Sequence, residues 1–491
     1  MISIKNYNYL AVAVIATYLL FQSLYVNRVP DVMVDEPWYG NTAYNFSQTS
    51  HFVNTCPGSN GGDVFIVYTF IMGSFYKLFG CSLFVTRIVS VLGGLLALLG
   101  MFSILRLFKI KPFAVGMICL MFVFSNVFFI VSRSGRPEAF ILAFGLWSVF
   151  FAFRYYSHRN RLRDVLFSAL FGVLALGSHP HGAMFLASAA IIFLLISVEE
   201  KNVKPVANFA LASAVMGIAL VIIVYITLGE RSKDILAQFS SRNSFSNNLS
   251  IASNISNFFS QYTLGIKRLY ILLFEMGVIL MSFLYFRRGS LYLKALVYSV
   301  VVVVTFSFLI FNPYSARHFG EVAVFSMLIL AVLVNTLQVR TIKVLYLFSA
   351  LYLLNNMAGD IYLLARKAKN VSYDQLSHEI DKAVPDDAVT ISMLEFWFPL
   401  KDNESYNQYT RWEKMKYKSM EELIASKKTK YIILSDLVSL KKTGTSGRER
   451  KMSVRFKGYF DKVNQIVVNM GVLEKEIKTD TYGTVRIWKV N

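Results

Sequence analysis

Long apolar runs recur from Tyr9 to about Leu364 and are separated by short polar segments. Most of these runs approach or reach the length of about 20 residues that an α-helix needs to cross a bilayer. The pattern therefore predicts eleven membrane-spanning helices, at about 9–26, 82–105, 113–132, 137–153, 165–178, 183–198, 206–228, 269–286, 295–311, 319–337 and 344–364.

One further apolar stretch, at 64–79, does not fit this series. Counting it as a span would reverse the predicted side of every later loop, so we interpret it as a juxtamembrane or re-entrant helix, which is tolerated where it packs against protein. The first run lacks a small-residue cleavage site, which favours an uncleaved anchor over a signal peptide.

The segment 365–491 is mixed and charged. Short runs rich in β-branched residues at 388–393, 430–435 and 484–490 predict strands, and 411–427 reads as a helical or polar connection. We therefore predict a mostly α-helical polytopic membrane protein. Its membrane domain spans 1–364, with a first outer loop at 27–81, and a small α/β domain occupies 365–491.

Composition and charge support this class. The chain is 55% hydrophobic and contains 42 phenylalanines in 491 residues, more than a soluble core needs. Its net charge is +20, but the segment 365–491 holds only 24 lysines and arginines against 17 acidic residues. Most remaining basic residues lie in short loops, where they mark the cytoplasmic side, whereas a nucleic-acid-binding protein needs one contiguous basic surface. The N-terminus is then inside and the C-terminal domain outside the cytoplasm.

The chain has only three cysteines, Cys56, Cys81 and Cys119. On this topology, Cys56 and Cys81 share the first outer loop and Cys119 lies within a span. Two loop cysteines do not make a disulfide framework, so unpaired thiols are favoured over a Cys56–Cys81 bridge.

The predicted outer loops carry most of the chemically versatile side chains. These side chains lie in four segments that are all predicted on the outer side of the membrane. We therefore expect the four segments to face one cavity, as an active site would require. These segments contain the acidic pair Asp35 and Glu36 followed by Trp38 and Tyr39, then Arg136 and Glu138 in 132–138, His179 and His181 in 177–182, and Arg317 and His318 in 312–318.

Each group also has a simpler explanation. Asp35 and Glu36 could be solvated loop carboxylates, and Arg136 could pair with Glu138 at a helix start that Pro137 favours. The two histidines could cap or pack a tight turn, and Arg317 could be an interfacial residue whose charge reaches the membrane surface. Two further acidic residues lie within or near span ends and are expected to meet polar partners rather than substrate, namely Glu275 and Glu321.

These motifs resemble those of the membrane-embedded GT-C glycosyltransferases, with the protein O-mannosyltransferases, aminoarabinose transferases and RgtA/B/C/D-like bacterial enzymes as the nearest groups. The resemblance covers residues 1 to about 365 in layout. It rests on the acidic pair, the segment FGCSLFVTRIVS at 79–90, the RPE turn at 136–138, the HPHG turn at 179–182 and Arg317–His318 before a span.

The resemblance implies transfer of a sugar from a polyprenyl-phosphate carrier to an extracytoplasmic hydroxyl, with inversion at the anomeric carbon. Asp35 would be the catalytic base and Glu36 would assist acceptor binding. Binding of the leaving phosphate would fall to Arg317, Arg136 and His318, and the candidates for substrate binding are Glu138, His179, His181, Tyr39 and Trp38. One departure concerns the donor, because aminoarabinose transferases carry a Lys-Pro-Pro signature where this chain reads GSNGGDV at 58–64.

The predicted partners are a polyprenyl-phosphate sugar, a glycan, lipid or protein acceptor, and the lipids of the cell or inner membrane. No cofactor is implied, and a divalent cation at Asp35 and Glu36 stays open. The chief alternative function is a transporter or flippase for a lipid-linked sugar. Transporters place ionisable groups near the membrane centre and often have internal repeats, whereas this chain concentrates its charges on one predicted face.

Overall fold

The computed structural model describes residues 4–32, 35–55, 65–158, 161–229, 266–309, 320–368, 370–407, 420–435 and 465–490, together with residues 256 and 259. The chain divides into two compact units. The membrane unit comprises Met1–Leu24, Phe65–Ile71 and Arg87–Leu363, and the composite unit comprises Tyr25–Val64, Met72–Thr86 and Leu364–Asn491.

Helices dominate the described part of the chain and coincide with all eleven predicted spans. In order they are α1 (Ile4–Ser23), α2 (Asp35–Thr49), α3 (Ile66–Phe79), α4 (Leu83–Leu107), α5 (Pro112–Val123), α6 (Asn126–Val131), α7 (Glu138–His158), α8 (Leu162–Ser178), α9 (Ala183–Glu199), α10 (Lys204–Leu228), α11 (Ile266–Tyr285), α12 (Leu291–Leu309), α13 (Gly320–Thr336), α14 (Val339–Ala368), α15 (Tyr373–Ala383) and α16 (Met420–Lys427). The predicted mostly helical, polytopic class is confirmed.

Within the described residues, six helical segments are long and apolar enough to cross a membrane. They are Leu83–Leu107, Glu138–His158, Pro180–Glu199, Lys204–Leu228, Arg268–Tyr285 and Val339–Ala383. Four apolar helices are shorter, at Ile66–Phe79, Pro112–Val123, Leu291–Ser307 and Gly320–Thr336. The stretch left out of the predicted spans is thus the 14-residue helix α3, which is about 21 Å long at 1.5 Å per residue and shorter than the hydrocarbon core.

The predicted span at 113–132 is divided into α5 and α6. Helix α5 ends at Val123, and Phe124 and Ser125 separate it from α6. The backbone N–H of Asn126, which no longer has a partner in the preceding turn, donates to the side-chain oxygen of Asn356 in α14 at 3.2 Å. A side chain from another helix therefore accepts the hydrogen bond of the backbone N–H that is unpaired at the helix break. Backbone polar groups within a membrane need such partners.

Small and hydroxyl residues bring the helices of the membrane unit close together. The hydroxyl of Ser148 in α7 donates to the carbonyl of Ser168 in α8 at 2.7 Å, and Ser168 returns the bond to the carbonyl of Ser148 at 2.9 Å. A Cβ on Gly145 would lie 2.2 Å from the Phe185 ring, so α7 and α9 touch where α7 has no side chain. Such contacts are the usual basis of helix association in lipid, where apolar burial alone gives little.

The composite unit contains a five-stranded mixed sheet in the order β2-β1-β3-β5-β4. Its strands are β1 (Thr390–Ser392), β2 (Ser405–Asn407), β3 (Tyr431–Ser435), β4 (Gly471–Thr479) and β5 (Gly483–Val490). β1 pairs in parallel with β2 and β3, whereas β5 is antiparallel to both β3 and β4. The predicted strands at 388–393, 430–435 and 484–490 correspond to β1, β3 and β5, while β2 and β4 were not predicted.

Segments of the first loop belong to the core of the composite unit. Val32 is buried together with Phe396 and Trp397, Trp38 packs against the same cluster, and Leu83 at the start of α4 joins it. Helices α2 and α3 approach closely, since a Cβ on Gly73 would lie 2.8 Å from the carbonyl oxygen of residue 43. The loop that precedes the second predicted span and the C-terminal segment therefore share one hydrophobic core.

Candidate active site

The acidic pair opens helix α2 in the composite unit. Asp35 and Glu36 are its first two residues, followed by Pro37. Carboxylates are favoured in the first helical turn because the unpaired N–H groups there carry partial positive charge. Glu36 is only 2% exposed, whereas Asp35 is half-buried. One carboxylate is thus enclosed by protein while the other is partly exposed.

The chain that follows α2 folds back along the helix and fixes it. The Asn41 side chain accepts from the backbone N–H of Thr55 at 2.7 Å and donates to its hydroxyl at 3.0 Å. The Asn54 amide donates to the carbonyl of Trp38 at 3.0 Å. These bonds attach the first two turns of α2 to residues 54–55 and limit the movement of the helix that carries the pair.

The two aromatic candidates after the pair are largely enclosed. Tyr39 is 9% exposed, and Trp38 packs against the core of the composite unit. The indole N–H of Trp38 is buried and has no hydrogen-bond partner among the described residues. Packing is therefore the observed role of Trp38, and a substrate-binding role for either residue stays a prediction.

Arg136 and Glu138 form a buried ion pair in the membrane unit. The Nη2 of Arg136 lies 2.6 Å from Oε1 of Glu138, and its Nε donates to the same oxygen at 2.9 Å. Their exposures are 8% and 7%, and Glu138 is the first residue of α7. The pairing considered as the simpler explanation is thus present, and any role of Arg136 toward a ligand would have to coexist with it.

The two histidines shape a tight turn between α8 and α9. The Nδ1 of His179 accepts from the backbone N–H of His181 at 3.2 Å, which caps the 3-10 turn at Pro180–Gly182. A Cβ on Gly182 would lie 2.1 Å from the backbone of Ala175. The His179 ring also lies 4.7 Å from the ring of Phe65. The capping role is therefore observed, and it requires Nδ1 of His179 to be unprotonated.

The remaining candidates from the sequence differ in whether the structure describes them. Arg317 and His318, and the stretch 58–64 that replaces the Lys-Pro-Pro signature, lie outside the described residues. Glu275 meets a polar partner as predicted, because the hydroxyl of Tyr352 donates to it at 3.2 Å. Among the described residues, no group of three or more His, Cys, Asp or Glu side chains is arranged to hold a metal ion.

A buried polar cluster in the membrane unit was not recognised from the sequence. Arg133 is fully buried, and its Nη2 donates to the backbone carbonyls of Gln22 at 2.8 Å and Leu24 at 2.5 Å. Its guanidinium lies 4.4 Å from the Phe129 ring centre and interacts electrostatically with Asp360. The signal that could have revealed the cluster is Asp360 itself, an acidic residue inside the apolar run 344–364.

A second polar group lies at the far end of α2. The hydroxyl of Tyr44 donates to Asp402, which also accepts from the Lys401 ammonium at 2.6 Å. Burial would raise the pKa of Asp402, but the bonds from Lys401 and Tyr44 hold that pKa below its ordinary value. Burial raises the pKa of the nearby Cys81 thiol to about 12, so the thiol is protonated at neutral pH. Cys81 and Cys119 are free thiols, and Cys56 lies outside the described residues.

Comparison with known proteins adds independent information. A sequence model of the dolichyl-phosphate-mannose-protein mannosyltransferase family matches residues 63–231. ArnT from Cupriavidus metallidurans, bound to undecaprenyl phosphate, superposes with a TM-score of 0.64 at 10% identity, and the match covers 97% of each chain. The oligosaccharyltransferase of Archaeoglobus fulgidus superposes with a TM-score of 0.58 at 14% identity, covering 87% of this chain and 68% of its own. None of the curated proteins matches this sequence.

The chain shares the fold of membrane glycosyltransferases of the GT-C superfamily. The resemblance inferred from the motifs is therefore confirmed at the level of the fold, and the family whose model matches residues 63–231 is a glycosyltransferase family. At 10–14% identity the solved structures share the fold with this chain, and fold alone does not assign substrates or residue roles. The shared fold leaves the donor, the acceptor and the catalytic residues to be argued from the site.

Proposed function

We propose that this GT-C protein transfers a sugar from a polyprenyl-phosphate carrier to a hydroxyl group on the extracytoplasmic side of the cell membrane. The observation that carries the proposal is the acidic pair at the start of α2, with Glu36 enclosed and Asp35 partly exposed. ArnT of the same fold is bound to undecaprenyl phosphate, and the family matched at 63–231 is named for a dolichyl-phosphate sugar. Both relatives support a lipid-linked donor.

In the proposed reaction Asp35 is the general base. Its carboxylate takes the proton of the acceptor hydroxyl, and the acceptor oxygen forms a bond to the anomeric carbon of the sugar. The bond from that carbon to the phosphate oxygen breaks, and the electron pair leaves with the polyprenyl phosphate. A single displacement of this kind inverts the anomeric centre. General-base assistance typically contributes 10² to 10⁴ in rate.

The leaving phosphate needs positive charge, and we assign this role to Arg317 and Arg136. Arginine suits it because its planar guanidinium binds phosphate through two parallel hydrogen bonds. The assignment of Arg317, and of His318 beside it, rests on the sequence. Arg136 is paired with Glu138 at 2.6 Å, so that carboxylate would hold the guanidinium in one orientation.

The decisive assay offers purified protein a polyprenyl-phosphate hexose or pentose, with a nucleotide sugar as the competing donor. We expect transfer from the lipid-linked sugar and a rate at least a hundredfold lower for Asp35→Asn, since the variant loses the base. Asp386→Asn, which changes an exposed carboxylate elsewhere in the composite unit, is the matched control and should keep the parental rate. Efficient transfer from nucleotide sugar alone would contradict the proposed donor. Failure with every lipid-linked sugar would favour the flippase alternative.

The proposed side of the reaction can be tested separately. In a cysteine-free background, single cysteines at positions 59 and 445 should react with an impermeant thiol reagent applied to intact cells. A cysteine at position 160 should react only after the membrane is opened. Labelling of position 160 from outside would place the acidic pair on the cytoplasmic side and overturn the extracytoplasmic assignment.

A further inference from the structure

The residues just before the acidic pair are hydrogen-bonded to the C-terminal segment of the chain. The Asn27 amide donates to the carboxylate of Asp374 at 2.8 Å. The Arg28 guanidinium donates to the backbone carbonyl of Ala368, at the end of α14. Both bonds lie within the composite unit, so residues 27 and 28 are attached to the C-terminal segment ahead of the acidic pair.

Asp31 accepts hydrogen bonds from two residues of the C-terminal segment. The ammonium of Lys367, in the last turn of α14, donates to both carboxylate oxygens of Asp31 at 2.9 and 2.8 Å. The hydroxyl of Thr481, in the turn between β4 and β5, donates to Oδ1 of Asp31 at 3.1 Å. The Asp31 and Lys367 side chains are 30% and 17% exposed, and partly buried charged bonds of this kind are stronger than exposed ion pairs.

The C-terminal segment also contacts the chain on both sides of the acidic pair. Val32 is 3% exposed, and its carbonyl accepts from the hydroxyl of Tyr482 at 3.1 Å. Beyond the pair, α2 packs so closely on the 3-10 turns at 394–400 that a Cβ on Gly40 would lie 3.1 Å from the Trp397 ring. The acidic pair is therefore bracketed by contacts at 31–32 and at 40, all made by the C-terminal segment.

We propose that Lys367 and Thr481, acting through Asp31, are positioning residues for the catalytic pair. The inference rests on the proposed role of Asp35 as general base. A base must lie within hydrogen-bonding distance of the proton that it removes, and a displacement of about 1 Å can cost roughly a hundredfold in rate. Asp31 is four residues from Asp35, so loss of its bonds to Lys367 would let the start of α2 move. The C-terminal segment is then part of the catalytic apparatus and not a separate cap.

The test compares Lys367→Met and Asp31→Asn with the parent in the lipid-linked donor assay. We expect kcat to fall roughly tenfold to a hundredfold while KM for the donor changes by less than about threefold, because the donor-binding arginines are untouched. Lys367→Arg should recover a large part of kcat, since it restores a cation that can donate to both oxygens of Asp31. Thr481→Val removes the hydroxyl that donates to Asp31 and accepts from Lys367 at 3.3 Å. Because the ion pair itself remains, this variant should give a smaller decrease in kcat, and it serves if the other variants fold poorly.

Lys475→Met is the matched control. It removes the ion pair of Lys475 with Glu379, 2.5 Å apart, which joins β4 to α15 elsewhere in the composite unit. This variant should keep the parental kcat and show a similar small loss of thermal stability in detergent. The proposal is overturned if Lys367→Met keeps the parental kcat, if Lys475→Met loses as much activity, or if Lys367→Arg recovers none.

The two proposals fail in different ways. If Asp35→Asn turns over at the parental rate, the general base has been assigned wrongly, whatever Lys367 does. If Asp35→Asn is inactive while Lys367→Met and Asp31→Asn keep full kcat, the base stands and the positioning role is wrong.

Discussion

The two compact units differ in what defines them along the chain. In the membrane unit, neighbouring helices such as α7 and α8 are joined by Ser148 and Ser168, which are 20 residues apart. In the composite unit, Asp31 bonds to Thr481 across 450 residues. A membrane helix satisfies its own backbone groups and is marked by a local apolar run, whereas the composite unit exists only after distant segments have met.

This contrast bears on function because the acidic pair lies in the composite unit, which is built from distant segments of the chain. The helix that carries Asp35 and Glu36 is 15 residues long and polar, so it is of marginal stability alone. Its position depends on the segments that pack against it. Substitutions in the membrane unit are therefore expected to act first on folding, and substitutions in the composite unit first on catalysis.

The largest effect on stability is expected at the buried cluster of the membrane unit. Arg133→Met would leave Asp360 without its compensating cation and the carbonyls of Gln22 and Leu24 without a donor. Each buried carbonyl left without its donor typically costs about 1–3 kcal/mol. The measurement is reversible unfolding in detergent, in which Arg133→Met/Asp360→Asn should recover part of the loss. Arg163→Met is the control, because the Arg163 side chain is 58% exposed. An equal loss of unfolding free energy in this control would contradict a stabilising role of the buried cluster.

A smaller loss of stability is expected for Gly182→Ala, and Gly217→Ala is the comparison because the two glycines differ in their surroundings. Gly182→Ala would place a Cβ 2.1 Å from the backbone of Ala175 in α8, and backbone cannot move aside as a flexible side chain can. Overpacking of this kind costs typically 1–3 kcal/mol. Gly217→Ala in α10 meets nothing within 4 Å among the described residues and should be neutral or stabilising by about 0.5–1 kcal/mol. Equal melting temperatures for the two variants would show that the turn tolerates rearrangement.

The ion pair of Arg136 and Glu138 tests whether the membrane unit also contributes to catalysis. Arg136→Ala should lower kcat/KM for the donor by roughly ten- to a hundredfold, the equivalent of about 1.5–3 kcal/mol for a hydrogen bond to a charged group. Glu138→Gln keeps the guanidinium and should lower kcat/KM only a few-fold. If both variants lose activity and thermal stability to the same extent, the pair is structural and the phosphate role of Arg136 is wrong.

The sequence was informative where the physical signal is local. The predicted spans coincide with helices because about 20 apolar residues mark a crossing wherever they occur, and the acidic pair was found from its place after the first run. The roles of Lys367 and Thr481 were missed because neither residue is unusual in its own neighbourhood, and β2 and β4 lack a run of β-branched residues. The sequence could show that Arg136 and Glu138 are two residues apart, but not that both are buried and paired.

The smallest predicted effect concerns Tyr44 and Asp402, which join α2 to the segment after the 3-10 turns. Tyr44→Phe removes a hydrogen bond that, together with Lys401, holds the pKa of Asp402 below its ordinary value of 3.8. A carboxyl group with a lowered pKa stabilises the folded state above that ordinary value, and the contribution is lost as pH falls through the lowered pKa.

The Asp402 side chain is 46% exposed, so solvent screening limits the expected loss to about 0.5–1 kcal/mol. The difference in unfolding free energy between parent and Tyr44→Phe should therefore be full at pH 7 and should shrink once the buffer is more acidic than pH 3.8. A difference that persists unchanged in acid would mean that Tyr44 acts through packing, and not through its bond to the carboxylate.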